Sequence, residues 1–206
     1  LDKLKVFVSV LTTPQLLKVN PRLGWFLLSY LRKFNLTKTA DKFIIHSHLP
    51  PLNSKAYSRF ATEHLAGKIS GPSHAQIGLT TACPQNCDYC YSKARAPETM
   101  KTSTIKQTIQ ELKEMGVFWL GLTGGEPLLN EDIVEIVESV GDDCTVKLFT
   151  TGYNLTEELA VKLQQAGLMY VSISLDHWQE ERHDQARNWP GAFQTALNGI
   201  EIFKKL

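Results

Sequence analysis

Along residues 76–206 the apolar positions fall into two alternating patterns: short dense runs, and longer stretches where they recur every three or four residues. Short runs rich in β-branched and aromatic residues are typical of buried parallel strands. Four such runs, at 77–81, 117–122, 145–150 and 169–175, are predicted as strands. Helices are expected between them. Ile105, Ile109, Leu112 and Met115 make one apolar stripe, with Gly116 as its stop. Ile133, Ile136, Val137 and Val140 make a second, with Glu131 and Asp132 in the first turn, where the helix dipole favours acids. Asn154 followed by Glu157 predicts the start of a third helix that closes at Gly167, and a fourth is expected from about Ala192 to the end.

Strand and helix in strict alternation, joined by short links, imply right-handed βαβ units and a parallel sheet. Four units are too few to close a usual barrel, so the expected fold class is α/β: an open sheet or a truncated partial (β/α) barrel. A Rossmann sheet would carry Gly-x-Gly-x-x-Gly after its first strand; cysteines stand there instead. The chain begins at Leu1 and ends at Leu206 inside a helical pattern, so it is expected to be an N-terminal fragment that stops before a fifth strand.

Residues 1–75 read differently. Leu4, Phe7, Val8 and Leu11 fall at helical spacing, Leu16-Leu17 and the run 23–31 suggest further helices, and Pro14, Pro21 and Pro50-Pro51 punctuate the segment. The overall charge of +1 conceals a split of +8 over residues 1–75 and −7 over residues 76–206. Two regions with different surfaces are therefore expected: a basic, mainly helical segment over 1–75, and an α/β core over 76–206.

Composition excludes several classes. Hydrophobic content of 43% with 21% charged residues fits a folded globular chain rather than a disordered one. No apolar run approaches the roughly 20 residues that cross a bilayer, and no secretory leader is evident. Three of the four cysteines crowd into eight residues, a distribution that speaks for metal binding in a reducing compartment rather than for disulfides. A cytoplasmic location is expected.

Those three, Cys83, Cys87 and Cys90, follow directly on the first predicted strand of the core, at the end of a parallel strand where ligands bind. Three thiolates in one loop can bind three irons of a cubane cluster and leave the fourth iron open. Zinc is the rival. It wants four ligands, and Cys87-x-x-Cys90 is the single pair of its kind, so His46, His48, His64 or His74 would have to complete the site of a non-catalytic adaptor. A redox Cys-x-x-Cys would leave Cys83 unexplained.

Cys83-x₃-Cys87-x₂-Cys90 with Tyr89 before the last cysteine, and Gly124-Gly125-Glu126-Pro127 at the end of the second strand, together resemble the two signature motifs of the radical S-adenosylmethionine (SAM) superfamily. The resemblance covers about residues 76–206. It implies a [4Fe-4S] cluster on Cys83, Cys87 and Cys90, with SAM chelating the open iron. One electron would cleave SAM to a 5′-deoxyadenosyl radical that abstracts hydrogen from a substrate, the protein supplying position and exclusion. It implies that Tyr89 lies against the adenine, and that Gly124, Gly125, Glu126 and Pro127 engage or organise the site of the methionyl ammonium. Thr150, with Thr151 and Gly152, lines the pocket by position. Ser172, Ser174 and Asp176 alternate along one face of the fourth strand, and the family often uses a serine there, so Ser174 and Asp176 are expected at the ribose or carboxylate of SAM. Arg187 would pair with that carboxylate. His183-Asp184-x-x-Arg187 and Gly191-x-Phe193 resemble the peptide-modifying and cofactor-building branches of the family. Cys144 stands alone and reads as a structural thiol.

The expected partners are a reductant such as flavodoxin or ferredoxin and an unidentified substrate: a peptide, a cofactor precursor or a lipid-like molecule. Basic charge with Phe7, Trp25 and Phe26 in a helical pattern suggests peripheral membrane contact through residues 1–75; packing of this basic segment on the acidic core is the alternative. No nucleic-acid motif accompanies the charge.

Overall fold

A computed structural model describes residues 25, 29, 33, 37–39, 42–65, 67, 71–93, 96 and 98–206. The helices expected around Leu4–Leu11 and Leu16-Leu17, and most of the run 23–31, lie outside the described residues; Trp25, Ser29 and Lys33 are helical.

Four strands form one sheet in sequence order: β3 (His74–Gly78), β4 (Trp119–Thr123), β5 (Thr145–Thr150) and β6 (Tyr170–Ile173). The sheet is parallel, with Leu148 opposite Val171 and Thr150 opposite Ile173 between β5 and β6. The connections are α2 (Thr102–Glu114), α3 (Ile133–Val140) and α4 (Glu157–Gln165); α5 (Glu180–Arg187) and α6 (Ala192–Lys204) follow β6. A separate antiparallel hairpin, β1 (Thr37–Thr39) and β2 (Lys42–Ile44), precedes α1 (Lys55–Phe60). No helical periodicity announced that hairpin.

Strand β5 matches its predicted bounds. β3 starts three residues before its predicted start and ends at Gly78, because the chain beyond it is pulled two ways. Leu79 N–H donates to the Thr123 carbonyl (2.9 Å), while Thr81 N–H donates to Glu98 O (2.8 Å) and Met100 N–H to Leu79 O (3.0 Å). Helix α2 buries Ile105 and Ile109 as expected, but Met115 lies past its last turn and is 53% exposed. The ends of α2 and α4 are closed by paired bonds: Gly116 N to Lys113 O with Val117 N to Leu112 O, and Gly167 N to Gln164 O with Leu168 N to Leu163 O. Helix α3 buries all four predicted residues. Helix α4 is capped by Thr156, whose hydroxyl accepts from Leu159 N at 3.1 Å. Asn154 instead holds a turn with φ of 56°, outside the helix.

By their contacts the residues gather into two compact units: one of 1–75, 111–119 and 142–145, the other of 76–110, 120–141 and 146–206. The core of the first is aromatic. The Phe118 ring lies 4.7 Å from Phe60, 5.1 Å from His64 and 5.2 Å from His74, and His48 stacks on Trp119 at 5.5 Å. Trp119 donates its Nε1–H to the Ser47 carbonyl at 2.9 Å, which satisfies an indole that is 2% exposed. Arg59 bonds the Glu63 carboxylate and the carbonyls of Val117 and Lys113. The second unit packs α3, α4 and α6 as a layer over the sheet. Its strand face toward α6 carries Val171 and Ile173, which line a groove of about 300 Å³ with Ile200, Phe203 and Lys204.

Candidate cluster and cofactor site

At the carboxyl end of β3 the chain leading into the cysteine loop is anchored through its backbone carbonyls. After Leu79, the carbonyls of Thr80 and Ala82 accept from the Gly125 N–H (2.6 Å) and the Glu126 N–H (2.8 Å). This close approach is what requires the two glycines. A Cβ on Gly124 would stand 2.3 Å from Thr80 O, and one on Gly125 would stand 2.1 Å from Ala82 O. The φ of 144° at Gly124 is also one that L side chains rarely adopt. Gly124 and Gly125 therefore press the β4 turn directly onto the chain leading into Cys83. The close neighbours of both glycines are backbone atoms.

Glu126 is 0% exposed, and every bond of its carboxylate is internal. Oε1 accepts from Leu128 N–H (3.1 Å) and the Thr150 hydroxyl (2.6 Å); Oε2 accepts from Thr151 N–H (2.7 Å) and the Thr151 hydroxyl (2.5 Å). A charge buried among apolar strands is tolerated only when such donors replace its water. Glu126 also caps the short 3₁₀ turn Pro127–Leu129, with Pro127 at its first position. The carboxylate thus ties the Gly-Gly turn to the end of β5. Thr150 and Thr151, 2% and 6% exposed, belong to this tie.

A second network holds the far side of the loop. Asp176, just beyond β6, takes Arg187 on both oxygens: Nη2 donates to Oδ1 at 2.7 Å, and Nε lies 2.6 Å from Oδ2. The Tyr89 hydroxyl donates to Oδ2, and the Arg187 guanidinium sits over the Tyr89 ring at 5.8 Å from its centre. Arg187 also reaches Gln85 Oε1 at 3.5 Å, and its carbonyl accepts from Asn86 N–H at 3.2 Å. Burial works to raise the Asp176 carboxyl, but the bonds from Arg187 and Tyr89 outweigh it and hold the group below the usual carboxylate range. The same carboxylate helps burial push the Tyr89 phenol up. Ser174 continues the ladder, its N–H donating to Thr150 O at 2.9 Å.

The His183-Asp184-x-x-Arg187 and Gly191-x-Phe193 stretches now have an architectural account. His183, 1% exposed, accepts the Asp176 N–H on Nδ1 at 3.1 Å, which leaves the proton on Nε2; burial keeps its pKa low. Asp184 caps α6, accepting from Gly191 N–H (2.6 Å) and Phe193 N–H (2.8 Å). The motif folds the chain after β6 back onto the cysteine loop.

All four cysteines are free thiols. Cys87 is buried, Cys90 half-buried and Cys83 exposed as a residue, although burial, reinforced by Glu126 and by the other two cysteines, pushes the Cys83 thiol up. The loop closes on itself through Cys90 N–H to Cys87 O (3.2 Å) and Ser92 N–H to Cys90 Sγ (3.4 Å). Among the described residues no three His, Cys, Asp or Glu side chains are drawn together as a finished metal cage. The donor set nonetheless fits an iron–sulfur cluster: three soft thiols of one loop, each available to a different iron. The histidines of the zinc alternative are engaged elsewhere. His46 Nδ1 accepts from His48 N, His74 bonds Ser73 and the His48 carbonyl, and His64 Nε2 contacts Gly116 O. Cys144 is buried away in the first unit, its thiol pushed up to about 12 by burial.

Sequence reasoning missed two participants. Tyr91, 71% exposed, donates its hydroxyl to the Gly124 carbonyl at 3.4 Å, and Gln85, 8% exposed, meets Arg187. Both sit beside or between the cysteines, so adjacency was the available signal.

Comparison with known proteins agrees with this geometry. The family model of the radical SAM superfamily matches residues 77–206. The AdoMet-dependent heme synthase of Methanosarcina barkeri is 39% identical over 132 residues, covering 62% of this chain and 38% of that protein. The mycofactocin maturase MftC of Mycolicibacterium smegmatis is 36% identical over 126 residues, covering 60% and 32%. The chain thus spans about a third of the length of these relatives. Among solved structures, Streptococcus suis SuiB bound to S-adenosylmethionine superposes with a TM-score of 0.56 at 16% identity, over 88% of this chain and 42% of its own. That likeness gives the fold, a partial barrel, to which the described residues contribute four strands. With the cysteine loop and the Gly-Gly-Glu-Pro turn braced together at its strand ends, the chain belongs to the radical SAM superfamily.

Proposed function

We propose that this chain carries the cluster- and cofactor-binding part of a radical SAM enzyme, with Cys83, Cys87 and Cys90 holding a [4Fe-4S] cluster by three irons and SAM on the fourth. The supporting observation is the double brace on the cysteine loop: backbone bonds from Gly125 and Glu126 on one side, the Tyr89–Asp176–Arg187 network on the other. When bound, the cluster supplies the electron for reductive cleavage of SAM, which leads to hydrogen abstraction from a substrate.

The chain's own residues orient and enclose. The Gly124 carbonyl, exposed enough to accept from Tyr91, offers an acceptor to the methionyl ammonium. Gly125, Pro127 and Glu126 fix where that carbonyl points, Glu126 acting through the turn because its own oxygens are occupied. Tyr89 provides a ring for the adenine. Ser174 and Asp176 face the ribose, and Arg187 presents its charge to the SAM carboxylate, with Thr150 fixing the floor through Glu126. A flavodoxin- or ferredoxin-like reductant and a peptide, cofactor-precursor or lipid-like substrate complete the proposal. A basic segment over residues 1–75 that contacts membranes peripherally belongs to it as well; among the described residues no helix is long and apolar enough to cross a membrane. The membrane part is tested by liposome flotation, where recovery in the soluble fraction overturns it.

Anaerobic reconstitution tests the main reading. The expected product is a brown protein with equal iron and sulfide, whose electron paramagnetic spectrum changes when SAM is added, and which yields 5′-deoxyadenosine on reduction. Single serine substitutions at Cys83, Cys87 and Cys90 each remove most of the iron. A colourless protein loaded with stoichiometric zinc would overturn the proposal.

A further inference from the structure

Helix α5 docks without an apolar stripe. A surface helix normally buries one, but the two residues that α5 buries are His183 and Arg187. Standing four apart, they share one face of the helix, and both act on the same residue. Arg187 takes the Asp176 carboxylate. His183 takes the Asp176 backbone, its Nδ1 accepting the N–H at 3.1 Å.

The backbone bond matters because of where Asp176 lies. Ser174 N–H still belongs to the sheet ladder and donates to Thr150 O. By Asp176 the chain has left β6, and Leu175 between them is 42% exposed. His183 therefore holds the Asp176 N–H where the strand pairing no longer does. An aspartate side chain is short, so the place of its carboxylate follows from the place of its peptide. Fixing that peptide fixes where the carboxylate meets Arg187 and Tyr89.

Imidazole is not an easy group to bury here. Among the described residues the His183 Nε2–H has no hydrogen-bond partner, and the Phe193 ring lies edge-on at 5.8 Å. A buried donor left unpaired disfavours the fold, and an aliphatic residue would avoid that penalty. What an aliphatic residue lacks is the Nδ1 lone pair. Neutral imidazole has it, whereas imidazolium donates from both nitrogens. Burial, reinforced by Arg187 and His177, outweighs the Asp176 and Asp184 carboxylates and holds the His183 pKa below its ordinary value. The acceptor is thus present at neutral pH.

We propose that His183 is a positioning residue for the cofactor: its Nδ1 lone pair sets the Asp176 peptide, and through Asp176 it sets the Arg187 and Tyr89 groups that face SAM. The proposal deepens the radical SAM reading and rests on it for the word cofactor; the tether to Asp176 does not. Asparagine and glutamine separate an acceptor at this place from mere bulk. The Asn Oδ1 falls near the histidine Nδ1, whereas the Gln Oε1 falls near Nε2 and the longer side chain fills the ring's volume better. SAM affinity of the anaerobically reconstituted full chain is read by equilibrium dialysis. His183→Gln and His183→Leu are each expected to weaken SAM about tenfold or more, the scale of a lost supporting contact, while His183→Asn stays within about threefold of the wild type. A role in packing alone predicts the opposite order, with Gln above Asn. Wild-type affinity in the Gln and Leu chains, or a Gln chain that binds SAM better than the Asn chain, overturns the proposal.

Should the variants misfold, the wild type alone still decides. Nitrogen NMR of the histidine-labelled chain near neutral pH, without the cluster, is expected to show His183 as the Nε2–H tautomer. The Asp176 amide is expected to exchange with solvent at least about tenfold more slowly than in an unstructured peptide. An Nδ1–H tautomer, or a freely exchanging Asp176 amide, overturns the tether and the proposal with it. Failure of the radical SAM reading shows separately, as a reconstituted cluster indifferent to SAM in a chain that keeps both the tautomer and the slow amide.

Discussion

Glu126 and Asp176 both bring a carboxylate to the strand ends of the second unit, and they are held in opposite ways. Glu126 is fully enclosed and receives four neutral donors from the ends of β4 and β5. Asp176 is partly open, its side chain 32% exposed, and is balanced by a cation, Arg187, and a phenol, Tyr89. An enclosed charge with fixed neutral donors has no alternative partner and serves as framework. A partly open charge paired with a long guanidinium can release one contact for another. The contrast separates what must not move, the turn pressed against the cysteine loop, from what can adapt around a cofactor.

Breaking the framework side should cost most. Glu126→Ala strands the Thr150 and Thr151 hydroxyls and two backbone N–H groups without their acceptor, and is expected to cost about 3 kcal/mol or more; urea unfolding measures it. Gly125→Ala drives a Cβ into the Ala82 carbonyl, and the shift this forces is expected to cost about 2 kcal/mol. It should also lower the iron retained after reconstitution, because the displaced backbone leads straight into Cys83. Arg187→Met acts on the adaptable side. It leaves Asp176 without its cation but within reach of water, so about 1 kcal/mol is expected, with a larger effect on SAM affinity, read by equilibrium dialysis. A cost for Arg187→Met equal to that of Glu126→Ala would erase the distinction between the two sites.

The smallest effect is a pH dependence. The folded Asp176 carboxyl titrates below its unfolded value, so its contribution is complete above the ordinary carboxylate pKa of about 3.9 and is lost as pH falls through the lowered folded value. The gap in unfolding midpoint between the wild type and Asp176→Asn should stay constant from neutral pH to about pH 4 and close below it. A gap that opens on acidification would refute the assignment.

How far the sequence could be read follows from what each element buries. Helix α3 was legible because Ile133, Ile136, Val137 and Val140 form an apolar stripe. Helix α5 was not, since the residues it buries are His183 and Arg187, and polar residues leave no hydrophobic period. Asn154 satisfied the capping rule on paper, but Thr156 occupies the extended position from which a hydroxyl reaches Leu159 N–H. Met115 fits the stripe of α2 by spacing, yet the helix ends one residue before it, so the count continued past the last turn. The Gly-Gly-Glu-Pro motif was recognisable as a string, while the reason for its glycines lay in the carbonyls of Thr80 and Ala82, over 40 residues earlier in the chain.

Taken alone, the order of residues determined the βα rhythm, the thiol spacing and the family, because these depend on local periodicity and on short motifs. Only the tertiary structure decided which groups satisfy one another. Glu126 meets threonines 24 and 25 residues away, and Tyr89 meets an aspartate 87 residues away. A buried charge selects its donors by proximity in space after the strands have aligned, and separation along the chain carries no trace of that choice.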